Sequence, residues 1–254
     1  MTSVLAAAPR PFAALAAVYA GQVSRAKAAR APLLFVATLQ SVGILLLLCG
    51  VVDAGSTSTS QQVVAGSTVL VVAFVALNLL AQRFGMLRGS GALDHYAALP
   101  IAPSAVVLGT AASYATFTIP GAVVTAVVGC LLYGLPLTHL WILVLVLPLA
   151  GASLAGLGAL LGLLAPRPEL ATVAGQLGMS AVLFLGIIPA SRMPGILRLV
   201  RAAVPSTYAA DALSEALGRT PDAGLLIRDL LVCLVVAVLA LALASVAFRR
   251  TVRR

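Results

Sequence analysis

Six long apolar stretches separated by short polar intervals set the pattern of this chain. They run approximately over 32–52, 63–82, 104–133, 140–165, 170–188 and 230–248. About 20 apolar residues cross the hydrocarbon of a bilayer, and a helix alone satisfies every backbone group within one segment there. Each stretch therefore predicts a transmembrane helix. Pro120 and Pro148 lie inside the third and fourth, where neighbouring helices tolerate them. Three further segments carry a helical pattern without the length to cross. Phe12, Leu15, Tyr19 and Val23 recur at three- and four-residue spacing ahead of Arg25, Lys27 and Arg30. The segment 11–31 is thus predicted as an amphipathic interfacial helix, with a longer first span as the alternative.

The interval 83–104 reads RFGMLRGSGALDHYAALPIAPS. Gly89 and Gly91 break the preceding helix, 92–99 is long enough for two helical turns, and Pro100 disfavours helix at Leu99. Pro103 suits the first turn of the next span. The interval 190–229 is the other patterned one. Ile196, Leu199, Val200, Ala203 and Val204 share one helical face, with Arg198 and Arg201 elsewhere on the wheel. After Pro205 a second short helix begins near Ser206 and can stop at Gly218. The interval is predicted as a pair of re-entrant or interfacial helices. Gly158 and Gly162, then Ala171, Gly175 and Gly178, place small residues at spacings that favour close helix packing, internal or between subunits.

Composition agrees with this reading. Hydrophobic residues make up 61% and charged ones 9% of the 254 residues, against about 25% charged in soluble domains; the mean hydropathy is +1.12. The charges fall in short intervals, so the expectation is a single membrane domain over 1–254. The N-terminal segment lacks an early basic region, and Pro9, Arg10 and Pro11 interrupt it, so it is expected to stay in the mature protein. Basic residues favour cytoplasmic loops. With the N-terminus inside, Arg10, Arg25, Lys27, Arg30, Arg83, Arg88, Arg167, Arg249, Arg250, Arg253 and Arg254 face the cytoplasm. Arg192, Arg198, Arg201, Arg219 and Arg228 face outward, in the interval that also holds Asp211, Glu215, Asp222 and Asp229. Both termini are expected to be cytoplasmic, in the cell membrane.

Little catalytic chemistry is available. Lys27 is the only lysine, so there is no GxxxxGK[ST] phosphate loop, and neither HExxH nor GxSxG occurs. Cys49, Cys130 and Cys233 are dispersed and read as small buried hydrophobes, and His95 and His139 stand alone. No metal site is expected. Asp53 and Glu169 sit at span edges, which disfavours an ion-coupled transporter. Gln40, Asn78 and Gln176 are the most polar residues within spans, either bonding between helices or lining a path.

Two of these intervals carry a family resemblance. Gly91-Ala-Leu-Asp-His-Tyr-Ala-Ala-Leu-Pro100-Ile-Ala-Pro103 resembles the G-T-L-[ED] to P-[IV]-S segment after the second span in membrane permeases of type 2 ATP-binding cassette exporters. Pro205-Ser-Thr207-Tyr208-Ala-Ala-Asp211-Ala-Leu resembles that family's P-x-T-Y-x-x-[DE]-A-[LIF] segment before the last span. The fold class this implies is an all-α polytopic membrane protein with six transmembrane helices and an N-terminal amphipathic interfacial helix. A cytoplasmic docking helix follows span 2, and an outer re-entrant helix pair precedes span 6. By the same resemblance the chain is a permease subunit without its own nucleotide site. It binds no cofactor, while ATP and Mg sit on separate ATPase subunits, and its partners are those subunits, a second permease subunit and membrane lipids, with no nucleic acid. Gly91, Leu93, Asp94, His95, Tyr96, Leu99 and Pro100 would meet the ATPase. Asn78, Gln176, Met179 and Phe184 are the implied path-lining residues, and Pro205, Thr207, Tyr208 and Asp211 mark the outer motif. The family's acidic and basic pair before its G-T-L is replaced here by Gly89 and Ser90. The expected activity is outward transport of an amphiphilic or hydrophobic small molecule; polysaccharide or glycolipid export is the alternative, and an ion-coupled transporter a more distant one.

Overall fold

The computed structural model describes residues 11–49, 57–93, 102–187, 194–218 and 221–252. All regular structure among the described residues is helical, and six helices are long and apolar enough to cross a membrane. In chain order they are α1 (Pro11–Cys49), α2 (Thr57–Gly89), α3 (Pro103–Tyr133), α4 (Leu143–Leu164, entered through a 3-10 turn at Leu140–Ile142), α5 (Pro168–Ile187) and α8 (Ala223–Val252). Between the last two lie α6 (Gly195–Ala203) and α7 (Pro205–Ala216).

The N-terminal amphipathic segment and the first span form one continuous helix of 39 residues that passes through Pro32. No glycine pair or polar turn interrupts it, and α3 supports it along its length. A side chain at Gly109 of α3 would meet Val18 at 2.9 Å, and Tyr19 donates a hydrogen bond to Thr116 (3.2 Å). Farther along, Tyr133 donates to the carbonyl of Leu45 (3.2 Å). The contacts climb together from Gly109 to Tyr133, so α1 and α3 run parallel, as alternate spans of a serpentine chain must.

The centre of the bundle is α2. Its span is 89% buried, against 28% for the spans of α5 and α8. A helix enclosed on all sides is apolar all round, as the run from Val63 to Ala73 is apart from Gly66, Ser67 and Thr68. Its middle, Ala73–Leu79, is a π-helical turn, which widens the backbone and shifts the register of its neighbours. Glycines of α4 and α5 close on this turn. A side chain at Gly158 would meet the Leu77 and Ala76 carbonyl oxygens at 2.5 and 2.8 Å, and one at Gly162 would strike the Ala81 carbonyl and Phe84. On the other flank, Gly175 faces Asn78 and Gly178 faces Leu77. The small-residue spacing thus serves packing inside one chain, where lipid supplies no hydrophobic drive and close van der Waals contact holds helices together.

Two boundaries move outward from their expected positions. The second span starts at Thr57 and brings Gln61 and Gln62 into the helix, and the sixth starts at Ala223 and brings in Arg228 and Asp229. Each of these polar side chains finds a partner within the protein, which makes the extension tolerable. Cys130 and Cys233 are buried as expected, but Cys49, at the last turn of α1, is exposed.

Replacing Gly162 with leucine should drive α4 from α2. The expected loss is about 2 kcal/mol, the usual cost of forcing bulk into a packed contact. It would be read as a lowered thermal unfolding midpoint in detergent, whereas Gly43→Leu, which meets nothing within 4 Å, should leave the midpoint in place.

Candidate functional site

The π turn of α2 holds the first group of polar residues. Asn78 is 2% exposed, accepts a hydrogen bond from Gln82 (3.0 Å), and lies against the backbone of Gly175. Met179, one turn beyond Gly175, is also buried. Gln176 and Phe184 stand on the opposite, exposed face of α5, beside Leu170, Val173 and Leu177. The four residues expected along a path therefore divide between two faces of α5. Asn78 and Met179 pack within the chain, and Gln176 and Phe184 face away from it.

The second group lies where α5 ends and α2 begins. Arg201 of α6 turns into the bundle and pairs with Asp211 of α7 through two bonds, 2.8 and 2.5 Å, while its Nε donates to the Leu185 carbonyl (3.2 Å). Gln62 donates both to the Gly186 carbonyl (2.8 Å) and to Asp211 (3.2 Å). One arginine, one carboxylate and one amide thus tie together α2, α5, α6 and α7. The bidentate fork is the geometry in which guanidinium and carboxylate bind most strongly. Thr207 donates to the carbonyls of Val204 and Arg201 (2.6 and 2.8 Å), and Tyr208 donates to that of Ala202 (2.8 Å). Pro205 occupies the first turn of α7, where its missing N–H costs nothing. Every residue of the outer motif therefore shapes the elbow between α6 and α7.

This elbow is not a pair of equivalent interfacial helices. α7 is embedded, with Pro205, Thr207, Ala209, Ala210, Leu213 and Ala216 buried among α2, α4 and α8. α6 lies outside it and is inverted relative to a soluble amphipathic helix. Ile196 and Leu199 are 81% and 76% exposed, while Arg201 is 8% exposed. Apolar side chains turned outward and a paired arginine turned inward are what a hydrocarbon environment favours. Nearby, Arg228 pairs with Asp229 (2.8 Å), a carboxylate that is 2% exposed. Asp222 caps α8 by accepting from the N–H groups of Gly224 and Leu225 (2.7 and 3.3 Å).

The third group is at the other end of the bundle. Arg88 donates to the carbonyls of Leu163 and Ala165 (2.6 and 2.9 Å), satisfying the final turn of α4. Gly89 lies directly against Pro168, the first residue of α5. Glycine there, in place of a charged pair, lets the end of α2 touch the start of α5. Gly91 has φ +70°, a left-handed conformation that suits glycine and ends the helix. Ala92 and Leu93 resume helical geometry, and Leu93 is 3% exposed. Asp94, His95, Tyr96, Leu99 and Pro100 lie outside the described residues. Arg88, Arg167 and Arg250 all belong to this end. Among the described residues no three potential metal ligands come together.

A family model described as ABC-2 type transporter matches residues 17–217, from the first turns of α1 to the end of α7. The chain belongs to the ABC-2 type transporter family. Members are membrane permease components of ATP-binding cassette transporters, a class that works with ATPase partner subunits and typically lacks an ATPase site of its own. No curated protein shows significant similarity to the chain. This ABC-2 permease is therefore a multi-pass membrane protein of six apolar helices.

Several members of these groups were not among the sequence candidates, Gln62, Arg88, Arg201, Arg228 and Asp229 among them. Arg201 had a readable signal, because an apolar stripe that faces lipid leaves its arginine only the protein to face. Gln62 and Asp229 lay one residue outside the expected spans. Their burial depends on where α5, α7 and α8 cross.

Removing the Asp211 carboxylate should leave Arg201 buried without its counter-charge. Asp211→Ala is expected to cost about 3 kcal/mol, while Arg201→Met combined with Asp211→Leu should recover most of it. Unfolding midpoints of Asp211→Ala and of the double variant in nanodiscs, each against wild type, provide the check.

Proposed function

We propose that this ABC-2 permease exports an amphiphilic or hydrophobic small molecule, such as a drug, a secondary metabolite or a lipid-like compound. The path lies between two permease subunits, of the same or of different chains, and two cytoplasmic ATPase subunits supply the energy. The observation that carries the cargo class is the open face of α5. Leu170, Val173, Leu177 and Phe184 present an apolar surface on which Gln176 is the one amide. At the far end Arg201 is paired with Asp211 and Arg228 with Asp229, so no carboxylate or guanidinium of these pairs is left as a free charge. The single charge on the open face of α5 is the carboxylate of Glu169, in the first turn. No cation stands there, so an anionic cargo would meet no counter-charge on it, whereas an apolar one would exchange lipid contacts for protein contacts.

The docking segment is 92–99, on the cytoplasmic side by the distribution of basic residues. Its root is well placed to transmit force. Gly89 abuts the first residue of α5, and Arg88 holds the last turn of α4, so displacement of the segment pulls on three spans at once. ATP binding would bring the ATPase subunits together and move both docking segments. It drives transport only through its different affinity for the inward-open and outward-open arrangements.

Coexpression with its ATPase subunit gives the test. Cysteines placed at Asp94 and Tyr96 should each form a crosslink to the ATPase in assembled complexes, and ATP hydrolysis in proteoliposomes should rise on addition of amphiphilic compounds. Crosslinking without such stimulation, but with stimulation by a lipid-linked glycan, would replace the cargo class and keep the docking assignment. Absence of any crosslink at either position would overturn the docking assignment.

A further inference from the structure

The basic end contains a cleft of about 810 Å³ between the last turns of α4 and α8 and the turn that follows α2. Two cations line it, Arg88 and Arg250, and no carboxylate does among the described residues. The Arg88 guanidinium is held in place by its bonds to the Leu163 and Ala165 carbonyls, which are neutral acceptors and leave its charge uncompensated. The walls are apolar, formed chiefly by Leu160, Leu164, Leu243 and Val246. Leu164, Leu243 and Val246 are 62%, 55% and 43% exposed, so this wall is open to its surroundings.

The wall also continues. Along α8, Val246 and Leu243 lead to Leu239, Val235 and Leu231, all exposed and spaced by three or four residues. They form one apolar stripe down the outer face of a spanning helix. A ligand that fits both parts has an anionic head for the two arginines and a hydrocarbon chain for the stripe. Basic pockets between spans on the cytoplasmic side are the sites where anionic lipid head groups bind.

We propose that this cleft is a binding site for an anionic phospholipid. Its phosphodiester lies between Arg88 and Arg250, and an acyl chain follows the Leu243, Leu239 and Val235 stripe. The site is separate from the face assigned to the cargo, and it adjoins the proposed ATPase contact, because Gly91 and Leu93 also line the cleft. A protein partner approaching from water could reach the arginines but could not occupy the stripe, which runs into the membrane.

The test uses the full chain in nanodiscs containing equal amounts of phosphatidylglycerol and phosphatidylcholine, with retained lipids read by native mass spectrometry. Wild-type protein should retain phosphatidylglycerol in preference. Arg250→Gln should lower that retention about fivefold, the effect of removing one arginine contact with an anionic surface. Arg250→Lys should preserve it, and Arg249→Gln, outside the cleft lining, should leave it unchanged. Equal retention of the two lipids by wild-type protein overturns the site without recourse to any variant. An equal loss in Arg249→Gln would reduce it to general attraction to a basic surface. Displacement of the lipid by inorganic phosphate would make it a free-anion site. Lack of lipid preference together with a crosslink from Arg250→Cys to the ATPase subunit would assign the cleft to protein docking.

Discussion

The contact of α4 and α5 with the backbone of α2 is the constraint on which the rest of the bundle depends. At Gly158 and Gly162 the approach is so close that a single added carbon would strike main-chain atoms of α2, and at Gly175 it would strike the Asn78 side chain. In lipid, apolar side chains gain nothing by leaving one hydrocarbon surface for another, so association rests on close van der Waals contact between surfaces of complementary shape. In the π turn over Ala73–Leu79 the carbonyls of Ala76 and Leu77 face Gly158 of α4, and just beyond it the Ala81 carbonyl faces Gly162. With α2 enclosed in this way, α1 and α3 pair along one side, while α8 completes the other against α4 and α7.

Polar chemistry is pushed to the two ends of this apolar centre, where it serves opposite purposes. At the end that holds Arg201 and Arg228, charges cancel in ion pairs, and α6 turns its apolar face outward because its arginine has a partner inside. The Pro205 to Asp211 motif acquires a physical meaning there: its hydroxyls and its carboxylate bend the chain so that α7 enters the bundle and α6 stays at its surface. At the other end Arg88 and Arg250 carry no partner carboxylate among the described residues.

Gly89 sits where the end of α2 meets the start of α5. A larger residue at 89 would separate α2 from Pro168. The Arg88 fork to the end of α4 retains a cationic side chain one residue away.

The six spans and their order were legible in the sequence because they follow from length and period, which are local properties. A run of apolar residues must be helical in hydrocarbon, whatever surrounds it. Its ends fall where polar residues accompany a glycine or proline, since Pro32, Pro120 and Pro148 inside the runs end no helix. Gly91 and Pro205 act at the positions the pattern marks. What tertiary structure alone decided is which faces meet. The sequence placed Asn78 and Gln176 in the same class, but the crossing of α2 and α5 buries one and exposes the other. It left open whether Gly158 and Gly162 pack within the chain or between chains, and the carbonyls of α2 occupy them. It excluded Gln62 and Asp229 from the spans, because a polar residue reads as a boundary until a partner from a distant helix is in place to receive it. Burial, pairing and register depend on residues far apart in the chain, and no local pattern contains them.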